Sequence, residues 1–289
     1  MFKGTATAII TPFKDDGSID EASLRRLVDF QEENGVTTIV PVGSTGESAT
    51  LSHEEHIRVI EIVVDQAKKA KILAGAGSNC TAEAIKLSKA SADLGVDGIL
   101  SISPYYIKPT QEGIYQHYKA VAEATELPIV LYNVPGRTGV NMTAETTLRL
   151  ARDFENIVAI KEASGNIGQM DAIIKDKPEG FDVISGDDGI TFPLITLGAV
   201  GVISVLGNAF PAEFSRMNRL ALQGDYANAL AIHHKFAEMC NLLFVDGNPA
   251  GVKAMLNIMG MCENKLRLPL VPAREVTCEK LRAAWQGLK

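Results

Sequence analysis

The run Ile157-Val158-Ala159-Ile160-Lys161-Glu162 places a charge at the end of an otherwise apolar stretch. An ammonium loses hydration there with nothing to gain, so a lysine in that position needs a reason. If the side chain points into the interior of a sheet structure, desolvation favours the free amine, and a free amine attacks carbonyl carbon. A structural lysine, paired with Glu162 or with an acid of Asp187-Asp188, is the alternative, and the pattern alone leaves both open. Tyr132 ends another apolar run, and Arg137 follows Pro135-Gly136 a few residues later. A phenol near an amine can move protons, and a guanidinium fork binds carboxylates in bidentate fashion. Taken singly, each also reads as a core tyrosine or a solvated loop arginine. Gly43-Ser44-Thr45-Gly46-Glu47 adds two hydroxyls and backbone N–H groups in a glycine-rich turn, and Ser103-Pro104-Tyr105-Tyr106 adds two phenols.

Metal and cofactor signals are weak, and none is expected. His53-Glu54-Glu55-His56 lacks the HExxH spacing of a zinc peptidase. His117 falls within a helical pattern, and His233-His234 lie far down the chain. Gly75-Ala76-Gly77 lacks the third glycine of a dinucleotide fingerprint, and no phosphate-binding P-loop occurs.

The elements that must position these groups repeat. Eight short apolar runs begin near Thr5, Thr37, Lys71, Gly98, Pro128, Ile157, Asp182 and Gly201, at intervals of 19 to 34 residues. Each is followed by a polar or glycine turn and a helical pattern, about one strand–helix unit in length. Ser52 and Glu55 form a capping-box signature, Asp20 and Thr143 stand where helices begin, and Gly35 where one ends. Parallel strands covered on both faces are apolar almost throughout, and eight even units fit a closed (β/α)8 TIM barrel, an α/β fold. In such a barrel the reactive groups sit at the carboxyl ends of the strands, which is where Thr45, Tyr106, Tyr132, Arg137, Lys161 and Asp187-Asp188 fall. Strict alternation puts Ile157, Ala159 and Lys161 on one face. About eighty residues follow the eighth run, more than one helix needs. The expected organisation is a catalytic barrel over 1–224 and a C-terminal α-helical domain over 225–289 packed against it.

Composition excludes several classes. The 289 residues are 46% hydrophobic and 22% charged, which rules out a disordered or fibrous chain. A net charge of −7 argues against nucleic acid or an anionic membrane surface as the main partner. No apolar stretch is long enough to span a bilayer, and Pro12 and Lys14-Asp15-Asp16 come too early for a secretory leader. Cys80, Cys240, Cys262 and Cys278 are scattered and read as buried or inert thiols in a reducing cytoplasm.

GSTGES (43–48), SPYY (103–106), YNVPGRTG (132–139), IKEASGN (160–166), SGDD (185–188) and GVISV (201–205) together resemble the dihydrodipicolinate synthase/N-acetylneuraminate lyase family of Schiff-base aldolases. The blocks span most of the barrel. The resemblance implies a barrel with a C-terminal helical domain, usually assembled as a homotetramer (a dimer of dimers). It implies that Lys161 forms an imine with pyruvate, that Tyr132 transfers protons, and that Thr45 and Tyr106 complete a hydroxyl relay. Tyr106 would enter the neighbouring subunit's site. Ser44 and Thr45 would hold the pyruvate carboxylate, with Gly186 and Ile203 lining the pocket. Ser44 stands where many members have threonine, and the hydroxyl is kept. Arg137 in the YNxPxRTG loop points, within the family, to L-aspartate 4-semialdehyde as second substrate and to lysine and diaminopimelate biosynthesis. Asn248-Pro249-Ala250-Gly251-Val252-Lys253 departs from the family's usual NPIPVK, which would bear on packing rather than chemistry. Lysine-sensitive members bind L-lysine at a dimer interface, and the matching positions are Ser48, Ala49, His53, His56, Asn79, Glu83 and Tyr105. A solvated helix start and a helix-face glutamate are the plain alternative there.

Three other functions compete. A pyruvate-dependent sugar-acid lyase would use the same lysine on a bulkier aldehyde. A non-catalytic barrel binding a keto acid would have no use for a complete Tyr132/Thr45/Tyr106 relay. A metal-dependent aldolase is disfavoured because no histidine falls at a strand end.

Overall fold

In the computed structural model, which describes residues 1–288, the eight apolar runs are eight parallel strands. They are β1 (Gly4–Ala8), β2 (Thr38–Val40), β3 (Lys71–Gly75), β4 (Gly98–Ile102), β5 (Ile129–Asn133), β6 (Ile157–Glu162), β7 (Asp182–Ser185) and β8 (Gly201–Ser204). They pair in chain order and β8 closes onto β1, with Ala6 opposite Ile203. The (β/α)8 barrel expected from the spacing is what the chain forms.

Helices cover the outside: α1 (Glu21–Glu33), α2 (His53–Gln66), α3 (Thr81–Asp93), α4 (Gln111–Ala122), a short α5 (Pro135–Thr138), α6 (Ala144–Asp153), α7 (Ile167–Asp176), α8 (Thr191–Leu197) and α9 (Pro211–Leu222). Their starts follow the local chemistry. Asp20 accepts from the Ser23 amide at 3.1 Å, and Thr143 caps α6. Ser52 and Glu55 exchange both bonds of a capping box.

Two layers of core result. Ala6, Ala8, Val40, Leu73, Leu100, Val130, Ala159, Ile184 and Ile203 fill the barrel interior, and larger clusters lie between strands and helices. Strict alternation fails at the start of β6. The pairing of β5 with β6 slips between Ile129 and Val130, so Ile157 turns into the outer layer while Ala159 stays inside. The irregularity consumes one residue and resets the faces before Lys161.

Beyond the barrel run α10 (Tyr226–Leu242), α11 (Ala250–Ile258) and α12 (Glu275–Leu288). Phe236, Met239, Leu243, Val252, Met255 and Leu281 share one apolar cluster with Ile10, Leu27, Ile39 and Val59 of the barrel side. This shared core seats the helices on the barrel. No helix among the described residues is long and apolar enough to cross a membrane. Cys240, Cys262 and Cys278 are buried, and burial pushes their thiols up, Cys262 to about 11. Cys80 differs from the other three: it is exposed, because it occupies the N-cap of α3, outside the packed face of that helix.

Candidate active site

Lys161 is the fifth of six residues in β6, in register with Tyr132 on β5 and Ile184 on β7. Its side chain points inward and is only 5% exposed. Nζ lies 4.3 Å from the centre of the Tyr132 ring. The acids that could have paired with it are engaged elsewhere. Glu162 faces the opposite side of the sheet, where its carboxylate accepts from Asn133 Nδ2 at 3.2 Å, the Ser164 amide at 2.8 Å and Gln169 Nε2 at 3.0 Å. Asp188 is buried and accepts from the Val205 and Leu206 amides at 3.0 and 2.8 Å, while burial raises its carboxyl above the ordinary range. Asp187 accepts from the Gly189 amide. The amine is therefore packed against a phenol rather than a carboxylate.

Gly186 forms the wall beside it. A Cβ there would stand 2.6 Å from Ala163 Cβ and 3.1 Å from Lys161 Cε, so only glycine leaves the lysine its present path. Across the barrel mouth, the loop after β2 presents Ser44 and a buried Thr45. Arg137, on α5, stays exposed at the rim. These groups enclose a cavity of about 340 Å³ lined by Ser44, Thr45, Tyr132, Arg137, Lys161 and Gly186. Ile203 is not among its lining residues; its side chain belongs to the packed layer beneath.

The C-terminal helices take part in the site. Asn248 Nδ2 donates to Thr45 Oγ1 at 2.9 Å, and the Asn248 carbonyl accepts from Arg137 Nη2 at 3.3 Å. Cys240, Asn241 and Phe244 line the same cavity. The departure from the family pattern lies at Ala250-Gly251, while Asn248, which keeps the pattern, touches two site residues. Asp246-Gly247-Asn248 is legible as a turn, but its seat over the barrel mouth is a long-range contact that no local pattern records.

A second cavity of about 640 Å³ shares Ser44, Tyr132, Arg137 and Asn248 with the first. Ser48, Ala49, His53, His56, Glu83 and Tyr105 line it, and Asn79 Nδ2 donates to the Tyr105 carbonyl at 3.2 Å. His53 Nε2 lies 2.6 Å from Glu83 Oε1, and Ser78 Oγ donates to the other oxygen. Those two bonds, Ser78 foremost, hold the Glu83 carboxyl below its usual range. His56 is no solvated helix start: it is buried, its Nε2 sits 2.7 Å from the Gly75 carbonyl, and burial lowers its basicity. Tyr106 stands apart from the groups around Lys161. The residue is 85% exposed at φ +73° and lines neither cavity.

A strand-end lysine amine, desolvated beside a phenol in a (β/α)8 barrel, defines a Schiff-base lyase of the barrel type. The chain belongs to the dihydrodipicolinate synthetase family, whose profile matches residues 1–287. It is 66% identical, over 99% of its length and 97% of the relative's, to the 4-hydroxy-tetrahydrodipicolinate synthase of Phocaeicola vulgatus. Its fold superposes with a TM-score of 0.97 on the chloride-inhibited dihydrodipicolinate synthase of Acinetobacter baumannii complexed with pyruvate, at 46% identity, covering 100% of this chain and 99% of that one. The same score relates it to the dihydrodipicolinate synthase of Cyanidioschyzon merolae with lysine bound, at 42% identity, covering 99% and 98%.

Proposed function

We propose that this chain is a 4-hydroxy-tetrahydrodipicolinate synthase, condensing pyruvate with L-aspartate 4-semialdehyde on the way to lysine and diaminopimelate. The observation that carries the reading is the Lys161 amine, buried against Tyr132 with its neighbouring acids engaged elsewhere. The names and ligands of the relatives support it. Residues 1–224 serve as the catalytic domain and 225–289 as the helical domain that closes it, in a cytoplasmic homotetramer.

Lys161 Nζ adds to the ketone carbon of pyruvate and water leaves, giving a cationic imine that acts as an electron sink. Ser44 and Thr45 hold the pyruvate carboxylate. Tyr132 relays the proton lost from the methyl carbon, which turns the imine into a nucleophilic enamine. That carbon bonds to the aldehyde of the second substrate, whose carboxylate Arg137 holds at the rim. The amine of the second substrate then adds to the imine carbon, and the Lys161 amine departs as the ring closes. Thr45 passes protons between Tyr132 and a Tyr106 supplied by the neighbouring subunit.

A steady-state assay offering either L-aspartate 4-semialdehyde or a sugar-derived aldehyde with pyruvate tests the substrate. Turnover of the semialdehyde alone is expected, and turnover of the bulkier aldehyde alone would favour the sugar-acid lyase. L-lysine is the proposed feedback effector, held in the second cavity by Ser48, Ala49, His53, His56, Asn79, Glu83 and Tyr105. Inhibition in a lysine titration is the expected result, and a flat response to millimolar lysine rejects it.

A further inference from the structure

The loop that carries Ser44 and Thr45 is bracketed by two residues in the left-handed region, Val42 at φ +50° and Glu47 at φ +56°. A β-branched valine adopts that conformation only when its surroundings over-determine it. Part of the surroundings is Gly75 on β3, where a Cβ would lie 2.4 Å from the Val42 carbonyl oxygen. The far end of the loop is held differently. The Glu47 carboxylate is fully buried and forms an ion pair with the equally buried Lys253 of α11. Its second oxygen accepts from the Arg267 amide at 3.1 Å. Lys253 Nζ donates to the Lys265 carbonyl at 2.8 Å and rests 4.2 Å from the centre of the Phe13 ring. Asn248, five residues before Lys253, reaches Thr45 itself.

A buried ion pair is a poor source of stability, since apolar groups of the same volume usually do as well. What it does supply is one defined position for its partner, at the end of a strained loop. We infer that Lys253 and Glu47 are a positioning pair by which the C-terminal helices hold the 42–47 loop in the conformation that presents Ser44 and Thr45 to the keto acid at Lys161. Neither residue lines the cavity around Lys161, so both act through the loop. The inference rests on the reading of that cavity as the pyruvate site.

Two variants of the full-length protein test it. Glu47→Gln keeps the size and an acceptor for Lys253. Lys253→Met with Glu47→Leu replaces the pair by apolar groups but also takes their partners from the Arg267 amide and the Lys265 carbonyl, so its melting temperature is measured alongside. In both, the pyruvate KM and the pyruvate concentration needed for borohydride trapping are expected to rise about tenfold, with kcat changed much less. Amides of residues 42–50 should also exchange faster with deuterium. A pyruvate KM within about twofold of the unsubstituted enzyme in whichever variant folds overturns the positioning role. Absence of a trapped adduct in the unsubstituted protein is a different failure, that of the pyruvate-site reading itself.

Discussion

A lysine in a strand interior was the residue that pointed furthest from sequence to chemistry, because its burial is expensive unless the amine has work to do. The structure gives it a phenol as neighbour and a glycine as wall. Gly186→Ala tests how tightly that wall sets the amine's position. The added methyl must push against Ala163 or the lysine stem, so the variant should lose about 1–3 kcal/mol of stability and at least tenfold in kcat/KM. A chemical melt alongside steady-state kinetics reads both, and an alanine variant with native kinetics would show that the lysine has room to spare. Lys161 was legible because a lysine is unusual in an apolar strand, whereas Tyr132, Thr45 and Arg137 stood out only once their blocks were seen to resemble the family. Asn248 was not, since an asparagine in an Asp-Gly-Asn-Pro stretch says turn and nothing more.

At the scale of elements, periodicity and capping chemistry located the strands and helices closely. The observed starts of β2 and β5, Thr38 and Ile129, each fall one residue from the apolar run that announced them. What periodicity missed was the slip at the start of β6, because an irregularity that consumes one residue leaves the composition of the run unchanged. Two groups add to the acid sensitivity that His56 and Glu83 also bring to the fold. His117 on α4 is buried with Nδ1 3.0 Å from Thr81 Oγ1, and desolvation lowers its pKa to about 4 from 6.5. Below pH 6.5 the unfolded chain binds a proton that the folded chain refuses, so stability falls as the pH drops from 6.5 to 4, by up to about 3 kcal/mol. Glu55 at the start of α2 is held at about 2, chiefly by its bidentate bond to Arg267. Its contribution is present above pH 4.5 and is lost between 4.5 and 2, and solvent screening limits it to about 1 kcal/mol. Urea melts across pH should therefore show His117→Asn flattening the upper window and Glu55→Gln the lower. If neither variant alters the pH dependence, the assignment of these groups fails.

For the whole molecule, the single chain holds an amine, a phenol and a hydroxyl together but sends Tyr106 outward. The outward placement agrees with what the resemblance implied for Tyr106, a role in the neighbouring subunit's site that residue patterns by themselves do not suggest. Complementation between subunits is therefore expected. Lys161→Ala and Tyr106→Phe proteins, each nearly inactive, should on reassembly recover up to about a quarter of full activity, since one site of each mixed pair regains both groups. Mixing that yields no more than the sum of the two parents would place Tyr106 outside the reaction. The helical appendage shows the same limit of local reading: its helices were legible from their patterns, while its shared core with the barrel and its reach to Thr45 exist only in the folded chain.

The proposed chemistry requires the Lys161 amine to bond covalently to a keto acid. Borohydride reduction in the presence of pyruvate, followed by peptide mass mapping, tests it most directly. A reduced pyruvyl adduct is expected on the peptide containing Lys161, and none in Lys161→Ala. An unmodified Lys161 peptide in an active enzyme, or an adduct on another lysine, would contradict it.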